Sequence, residues 1–401
     1  MKNFTNELFK QTFHKEPDKL YFSPGRVNII GGHTDYNGGA VLPFCIDFGI
    51  YGAVSKRTDN QIHVFSDNIR RKGIISFALD QLEYDENRNY ANYISGLFHE
   101  LHIRKYVVSD GFDLVIAGNL PRGGGLSSSA ALLVLVCNIV NDLNNFGLDG
   151  VQIALISKAV ENLYIGVNCG IMDQFIIANG KKDHAIYLES NTLNYEFIPC
   201  NMEDYKFVLV NSNITRRLKK SKYNLRQKET QDILAILKQH VDIEYICDLL
   251  PNDYEQYEAY IEEEDLKKRF KHLVNEHDRV KQAKIALSNN DFVGLGMLLT
   301  KAHESARDLY EVSSLVLDRL VVLAMDAGSL GSKMIGGGFG GSTLNLVETS
   351  KLDGFIDNFT ELYIREYNSQ PIINVVKVTD GACELKWLSK QIKNRSNNFL
   401  F

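Results

Sequence analysis

No run of 18 apolar residues occurs anywhere in this 401-residue chain, so it encodes no membrane-spanning helix. The opening MKNFTNELFKQTFHKE lacks an apolar core of signal-peptide length. Cysteine is sparse and dispersed: the six lie at 45, 137, 169, 200, 247 and 383, and no two have the C-x-x-C spacing of a metal knuckle or redox pair. Several fall in apolar runs such as VLVCNIV and EYICDLL, where a reduced thiol acts as a small hydrophobe, as a reducing cytoplasm allows. An excess of positive charge is missing as well. A net charge of −6 argues against a nucleic-acid-binding surface, which would make the chain basic. Internal repeats and low-complexity tracts are also lacking. These absences predict a soluble, cytoplasmic protein that engages neither membrane nor nucleic acid.

What is present is ordinary in bulk: 44% apolar and 23% charged residues. The length suffices for two domains, or one large two-lobed unit, with a core that needs no staples. Phe4, Leu8, Phe9 and Phe13 recur at helical spacing and predict an opening helix. From Leu20 to Val54 the chain reads as strands and hairpins broken by glycine, and IHVFS (62–66) and GFDLVIAG (111–118) as further strands. SSSAALLVLVCNIVNDL (127–143) predicts a buried helix, 151–165 a second one, and 185–189 and 207–213 two strands. Residues 216–310 are mostly helical and charged; glycine and strand return at 333–347, before a closing helix and strand. A domain boundary is expected near 195, dividing 1–195 from 196–401. Within RRLKKSKYNLRQK (216–228), Leu218 and Leu225 lie one heptad apart, so the run reads as a solvated helix face with an apolar stripe; EEED (262–265) reads as solvated surface.

Three glycine-rich stretches carry the chemistry. In IAGNLPRGGGLSSSAALLVLV an apolar strand is followed by a short loop, three consecutive glycines and a helix led by three serines. Glycines let the backbone approach an anion closely, serines supply N-cap oxygens and hydroxyl donors, and the unpaired amides of the first turn favour a phosphate there. The loop lacks the Gly-Lys-Ser/Thr ending of a Walker motif, and its glycines are contiguous rather than spaced as G-x-G-x-x-G. A third class of nucleotide loop is therefore indicated. SPGRVNIIGGHTDYNGG (23–39) brings Arg26, His33 and Asp35 onto one tight turn, more than a structural loop requires. KMIGGGFGGSTLNLV (333–347) has apolar flanks on both sides and predicts a tight, buried turn able to close over a site.

AVENLYIGVNCGIMDQFIIANG (159–180) sets Glu161 in a helix and Asp173 before an apolar helix, as either an N-cap or a functional acid. Phosphoryl transfer to a hydroxyl needs a carboxylate to engage that hydroxyl, a cation to steady the reacting oxygens, and Mg2+ on the phosphates. Arg26 is a permanent cation, and a serine hydroxyl with a glutamate offers hard oxygen ligands.

Together, GRVNIIGGHTDYNGG, LPRGGGLSSSAAL, CGIMDQF, NSN…SKYNLR, HESARDLYEVS and MIGGGFGGSTLNLV resemble the segments of the GHMP kinase superfamily, and within it the galactokinases, in the same order from about residue 20 to 347. The resemblance implies an α+β, GHMP-kinase-like two-lobed fold with ATP and a sugar bound in the cleft, and transfer of the γ-phosphate to the sugar's anomeric hydroxyl. By motif position it makes Asp173 the catalytic acid and Arg26 the stabilising cation. Gly32, His33, Thr34, Asp35, Gly170 and Tyr223 would bind the sugar. Gly123, Gly124, Gly125, Leu126, Ser127, Ser128 and Ser129 would wrap the phosphates, with Tyr90 near the adenine. Ser129 and Glu161 would hold Mg2+. Small molecules are the implied partners, and a monomer is expected.

One position departs from the pattern. Galactokinases read GEHTDYN where this chain reads GGHTDYN, and the glutamate replaced by Gly32 is the family's partner for the sugar's 6-hydroxyl. A hydrogen bond to a charged group contributes about 1.5–3 kcal/mol. Three alternatives stay open at this point. Another group replaces it and the sugar is galactose; the sugar differs at C6, as galacturonate, arabinose or fucose does; or the chain senses galactose and ATP without catalysis.

Overall fold

In the computed structural model, residues 1–121, 124–212 and 219–386 are described. The opening amphipathic stretch forms α1 (Lys2–Phe13), which seals Leu8 and Phe9 against Leu20, Ala53 and Val115 and leaves Phe4 exposed. The β-branched and aromatic run that follows gives β1 (Lys19–Asn28), β2 (Ala40–Val41) and β3 (Pro43–Lys56), then β4 (Gln61–Ser66) and β5 (Ile74–Ala78). After α2 (Ala91–Ile103), β6 (Phe112–Gly118) enters between β3 and β4, antiparallel to the first and parallel to the second.

Helices α3 (Ser128–Asn144) and α5 (Met172–Asn179) pack on this sheet, and α4 (Gly150–Ala159) packs on both of them. Helix α3 is apolar almost all round because it is surrounded; residues 130–137, Ile139 and Val140 are all buried. Each buried Leu, Val or Ile stabilises by about 1.5–3 kcal/mol, which outweighs the weak helix propensity of the β-branched residues. The expected single helix over 151–165 is interrupted. Past Ala159 the chain continues as a π turn, Val160–Tyr164, in which Ile165 N–H reaches back to Val160 O at 3.0 Å. Such turns occur often at functional sites, and this one carries Glu161.

Next come β7 (His184–Glu189), β8 (Tyr195–Pro199) and β9 (Tyr205–Asn211), then the helical region α6 (Lys219–Leu237), α7 (Asp253–Tyr257), α8 (Glu264–Ser288), α9 (Phe292–Asp308) and α10 (Leu315–Asp326). The chain ends through β10 (Gly331–Met334), β11 (Ser342–Glu348), α11 (Leu352–Tyr367), β12 (Ile372–Val376), β13 (Val378–Thr379) and β14 (Cys383–Glu384).

Among the described residues there are three sheets. The largest runs β14-β1-β3-β6-β4-β5, with β13 also on β3; the second runs β10-β11-β9-β12, and the third β2-β7-β8. The closing strands β13 and β14 thus return to the sheet begun by β1. The first two sheets are tied by a shared core in which Val27, Ile29, Leu42 and Phe44 pack with Phe207, Leu209 and Leu344. The Phe44 and Phe207 rings stack at 4.9 Å. This core fixes the C-terminal end of β1 against the hairpin of β10 and β11.

The charged run at 216–228 differs from its sequence reading. Residues 216–218, and with them Leu218, lie outside the described residues. Leu225 forms no apolar stripe, being 50% exposed, whereas Arg226 is buried, donating to Tyr310 O and pairing with Glu229 at 2.8 Å. A guanidinium can go inside here because both its charge and its donors are matched. The EEED segment is exposed, as its composition predicts.

Candidate active site

The turn after β1 is held from behind. Asn28 Nδ2 donates to Gly31 O at 2.9 Å and Asn37 Nδ2 to His33 O at 2.8 Å. From α8, Glu276 Oε1 accepts both Gly31 N–H and Gly32 N–H, each at 3.0 Å, and His272 Nε2 meets Gly32 O at 3.2 Å. Burial pushes the His272 imidazole down to about 4. Burial alone would raise the Glu276 carboxyl, but Arg279, whose Nε donates to Oε2 at 2.7 Å, leads the groups that hold it at about 2. A charged, fully bonded carboxylate thus clamps two consecutive amides.

His33 sits at φ 66°, in the left-handed region that non-glycine residues enter only when the surroundings insist. Its Nδ1 lies 2.8 Å from Tyr36 Oη, which is in turn 2.9 Å from Tyr310 Oη, and its ring faces Tyr223 at 5.5 Å. Asp35 projects against Gly170. A Cβ on Gly170 would come within 1.8 Å of Asp35 Oδ2, so no larger residue could leave this carboxylate where it is. The Asp35 carboxyl accepts from Met172 N–H at 3.4 Å and is pushed up to about 6, by burial first and by the Asp173 carboxylate second.

Asp173 lies in the first turn of α5, two residues past the N-cap Ile171, and does not cap the helix. Arg26 Nε donates to its Oδ1 at 2.6 Å and Nη2 to its Oδ2 at 2.8 Å, while Nη1 donates to Gly125 O at 2.7 Å. The Ser127 hydroxyl donates to Asp173 Oδ2 as well. The expectation that the serines cap α3 through their oxygens therefore fails at its N-cap. Ser127 occupies that position at φ 61°, makes no side-chain cap bond, and spends its hydroxyl on Asp173. The first turn of α3, with its unpaired amides and the positive end of the helix dipole, is suited to an anion.

The π turn brings Glu161 beneath this helix tip. Its carboxylate accepts from Gln174 Nε2 and hydrogen-bonds the Ser129 hydroxyl. Burial raises its pKa, with Asp173 adding to the shift and the Ser129 and Gln174 hydrogen bonds opposing it.

These elements enclose a cavity of about 550 Å³. The turn after β1 contributes Gly32, His33 and Asp35 to its wall; the helix tip contributes Gly124, Gly125, Leu126, Ser127, Ser128 and Ser129. Arg26, Asp173, Glu161, Gly170 and Tyr223, also expected from the sequence, line it as well, and Gly336 and Gly337 of the third glycine stretch line one side. Gly123 lies outside the described residues. Two expected ligands are not on the wall. Thr34 is fully buried, its hydroxyl 2.7 Å from Ala40 O, so it braces the turn. Tyr90 packs on the core behind the large sheet, its hydroxyl 3.4 Å from Val64 O. Residues on or behind the wall that sequence reasoning missed are Asn28, Cys169, Asn224, Lys333 and Glu276. A lysine directly before an apolar Met-Ile and five glycines was a readable signal for one of them; Glu276, on a charged amphipathic helix, gave none.

Whether the residues fit a divalent cation can be judged from the donors. Glu161 and Ser129 present two hard oxygens at the tip of α3, and the carboxylate is destabilised by burial and by Asp173. No group of three or more His, Cys, Asp or Glu among the described residues forms a closed metal cage. Two oxygen donors with the remaining positions left open suit Mg2+, which keeps water and substrate phosphates in its shell.

Comparison with known proteins places the chain among its relatives. Residues 7–56 match the galactokinase galactose-binding signature, and residues 92–181 the GHMP kinase N-terminal domain. The chain is 42% identical to a galactokinase of Clostridium perfringens over 384 residues, 96% of this chain and 99% of the relative. It is 41% identical to one of Fusobacterium nucleatum over 382 residues, 95% of this chain and 97% of the relative. The crystal structure of Lactococcus lactis galactokinase complexed with galactose superposes with a TM-score of 0.92 at 36% identity, covering 96% of this chain and 99% of that one. Methanococcus jannaschii mevalonate kinase, at 19% identity and a TM-score of 0.63 over 90% of this chain and 98% of its own, shares the fold.

Proposed function

Because this chain belongs to the galactokinase family of GHMP kinases, we propose that it transfers the γ-phosphoryl group of ATP to the anomeric hydroxyl of galactose in the cavity described above. It is a sugar kinase, a phosphotransferase acting on a hydroxyl. The observation that carries the reading is the Arg26–Asp173 fork, set between the sugar turn and the serine-led helix tip.

Asp35, His33 and Tyr223 receive the sugar from the turn side, and Gly170 leaves Asp35 room to accept its hydroxyls. Asp173, held by Arg26 and Ser127, orients the anomeric hydroxyl and takes up its proton as the oxygen attacks phosphorus. Arg26, whose charge is permanent, offsets the negative charge spread over the transferring group. The amides from Gly124 to Ser129 cradle the phosphates at the positive end of α3. Ser129 and Glu161 would hold Mg2+, which when bound neutralises the phosphate oxygens. The turn at Gly336 and Gly337 lines the third side.

We place the division between the two lobes near residue 195, with β13 and β14 returning to the first lobe's sheet. The enzyme is proposed to act as a monomer in the cytoplasm, where its six free cysteines stay reduced. A coupled ADP-release assay over galactose, galacturonate, arabinose, fucose and N-acetylgalactosamine tests the function. Galactose-dependent ADP release is expected; galactose binding with no ADP above background would leave a sensor and remove the kinase reading.

A further inference from the structure

Lys333, on β10, is 5% exposed and lines the cavity, with its ammonium at the foot of the turn after β1, beside Asn28. Its one recorded acceptor among the described residues is Asn28 O at 3.3 Å, at the long end of a hydrogen bond. The carboxylate that acts on it most strongly, Glu276, is already taken: Oε1 holds two backbone amides and Oε2 holds Arg279. Burial pushes the lysine down to about 8, so at neutral pH it still carries its proton. A buried cation with no counter-charge is costly unless the counter-charge arrives with a ligand.

The same cavity has space for one beside Gly32. Gly32 carries no side chain, and a Cβ built there meets a single atom within 4 Å, Glu276 Oε1 at 3.9 Å, whose charge is neutralised by the amides and Arg279. This end of the cavity therefore combines room with positive charge.

We propose that Lys333 and Gly32 form a subsite for an anionic group at the far end of the acceptor sugar, so that the enzyme also phosphorylates a hexuronate, galactose oxidised to a carboxylate at C6. The inference rests on the sugar-kinase reading and on the sugar lying with C6 toward Gly32. The anomeric oxygen bonds to the γ-phosphorus while the bridging bond to the β-phosphate breaks and its electron pair leaves with ADP. The anomeric proton passes to Asp173, and the C6 carboxylate is unchanged. The other anion within reach is the ATP γ-phosphate. The lysine, however, bonds Asn28 at the foot of the sugar turn, whereas the helix tip already presents amides to phosphate.

The test compares galacturonate with its neutral methyl ester and with galactose, as ADP release by the intact enzyme. The acid is expected to exceed the ester in kcat/KM by about tenfold or more, the scale of one charge-assisted hydrogen bond. Lys333→Met should reduce that acid-to-ester ratio by a similar factor, and so should Gly32→Glu, which sets a carboxylate against the substrate's own. Equal rates for acid and ester, or no turnover of the acid where galactose is turned over, overturns the proposal and leaves the galactose reading intact. So does a Lys333→Met enzyme whose KM for ATP rises equally with either sugar, since that assigns the lysine to phosphate. Absence of turnover with every sugar removes both readings. If Lys333→Met does not fold, the wild-type acid-to-ester comparison decides alone.

Discussion

Arg26 grips Asp173 through two parallel hydrogen bonds, Nε to Oδ1 at 2.6 Å and Nη2 to Oδ2 at 2.8 Å, across 147 positions of sequence. A planar fork on a planar carboxylate fixes orientation as well as charge, which a lysine could not do. The third nitrogen of the guanidinium reaches Gly125 O at 2.7 Å, so the fork also ties the acid to the glycine-rich loop before α3. Asp173→Asn keeps the volume but cannot accept at both oxygens or take a proton. Turnover is expected to fall about 10²–10⁴-fold, with the dissociation constant for ATP nearly unchanged. A kcat within tenfold of the parent would refute the role.

Ser129 is the sharpest test of the proposed metal site, because it hydrogen-bonds Glu161 and lines the cavity at the tip of α3. Ser129→Ala removes one of two hard oxygens. The Mg2+ concentration for half-maximal activity should rise by about 10–100-fold, the usual effect of disturbing a metal's coordination. An unchanged magnesium titration would take Ser129 out of the metal's shell.

The strand-and-glycine texture of the first two hundred residues made β1, β3, β4, β6 and α3 legible, because alternation and an unbroken apolar run report burial directly. Arg26, Asp35 and Asp173 could be singled out as charged residues on tight or apolar stretches where solvation alone would not put them. Thr34 and Tyr90 came with the resemblance, and the structure gives them bracing and packing positions. The clamp on the sugar turn was illegible for a different reason. Glu276 sits 244 residues from Gly32 on a helix whose period predicts only an inner and an outer face, and nothing in that period says the inner face meets backbone amides. The π turn at Val160–Tyr164 was hidden too, since one extra residue per turn leaves no compositional mark.

Asp35 predicts a pH dependence with opposite signs for binding and stability. To accept sugar hydroxyls it must be ionised, and its carboxyl is raised from 3.8 to about 6. For galactose, kcat/KM should fall about tenfold for each pH unit below 6, as for a single ionisation in the free enzyme. For folding, a raised acid contributes stability that is present below its unfolded value of 3.8 and is lost as pH rises through about 6. Asp35→Asn should therefore raise Tm at pH 8 relative to the parent, and less so at pH 5, while abolishing tight sugar binding. A profile of kcat/KM that stays flat from pH 8 to 5 would contradict the assignment.

Glu276 works the other way. Its carboxyl is held at about 2 against the usual 4.5, so it contributes stability that is present above pH 4.5 and is lost as pH falls toward 2. Glu276→Gln leaves Arg279 with its buried partner gone, and removing one member of such a pair costs about 3–5 kcal/mol. Denaturant melts at pH 7 should show that loss, and the gap between variant and parent should narrow as the parent's carboxylate protonates between pH 4.5 and 2. The surviving enzyme discriminates a local clamp from general weakening. Since Oε1 holds Gly31 and Gly32, a loosened turn should raise KM for galactose several-fold while KM for ATP barely moves. Equal rises in both constants would mean that Glu276 supports the fold alone and leaves the geometry of the sugar turn to other residues.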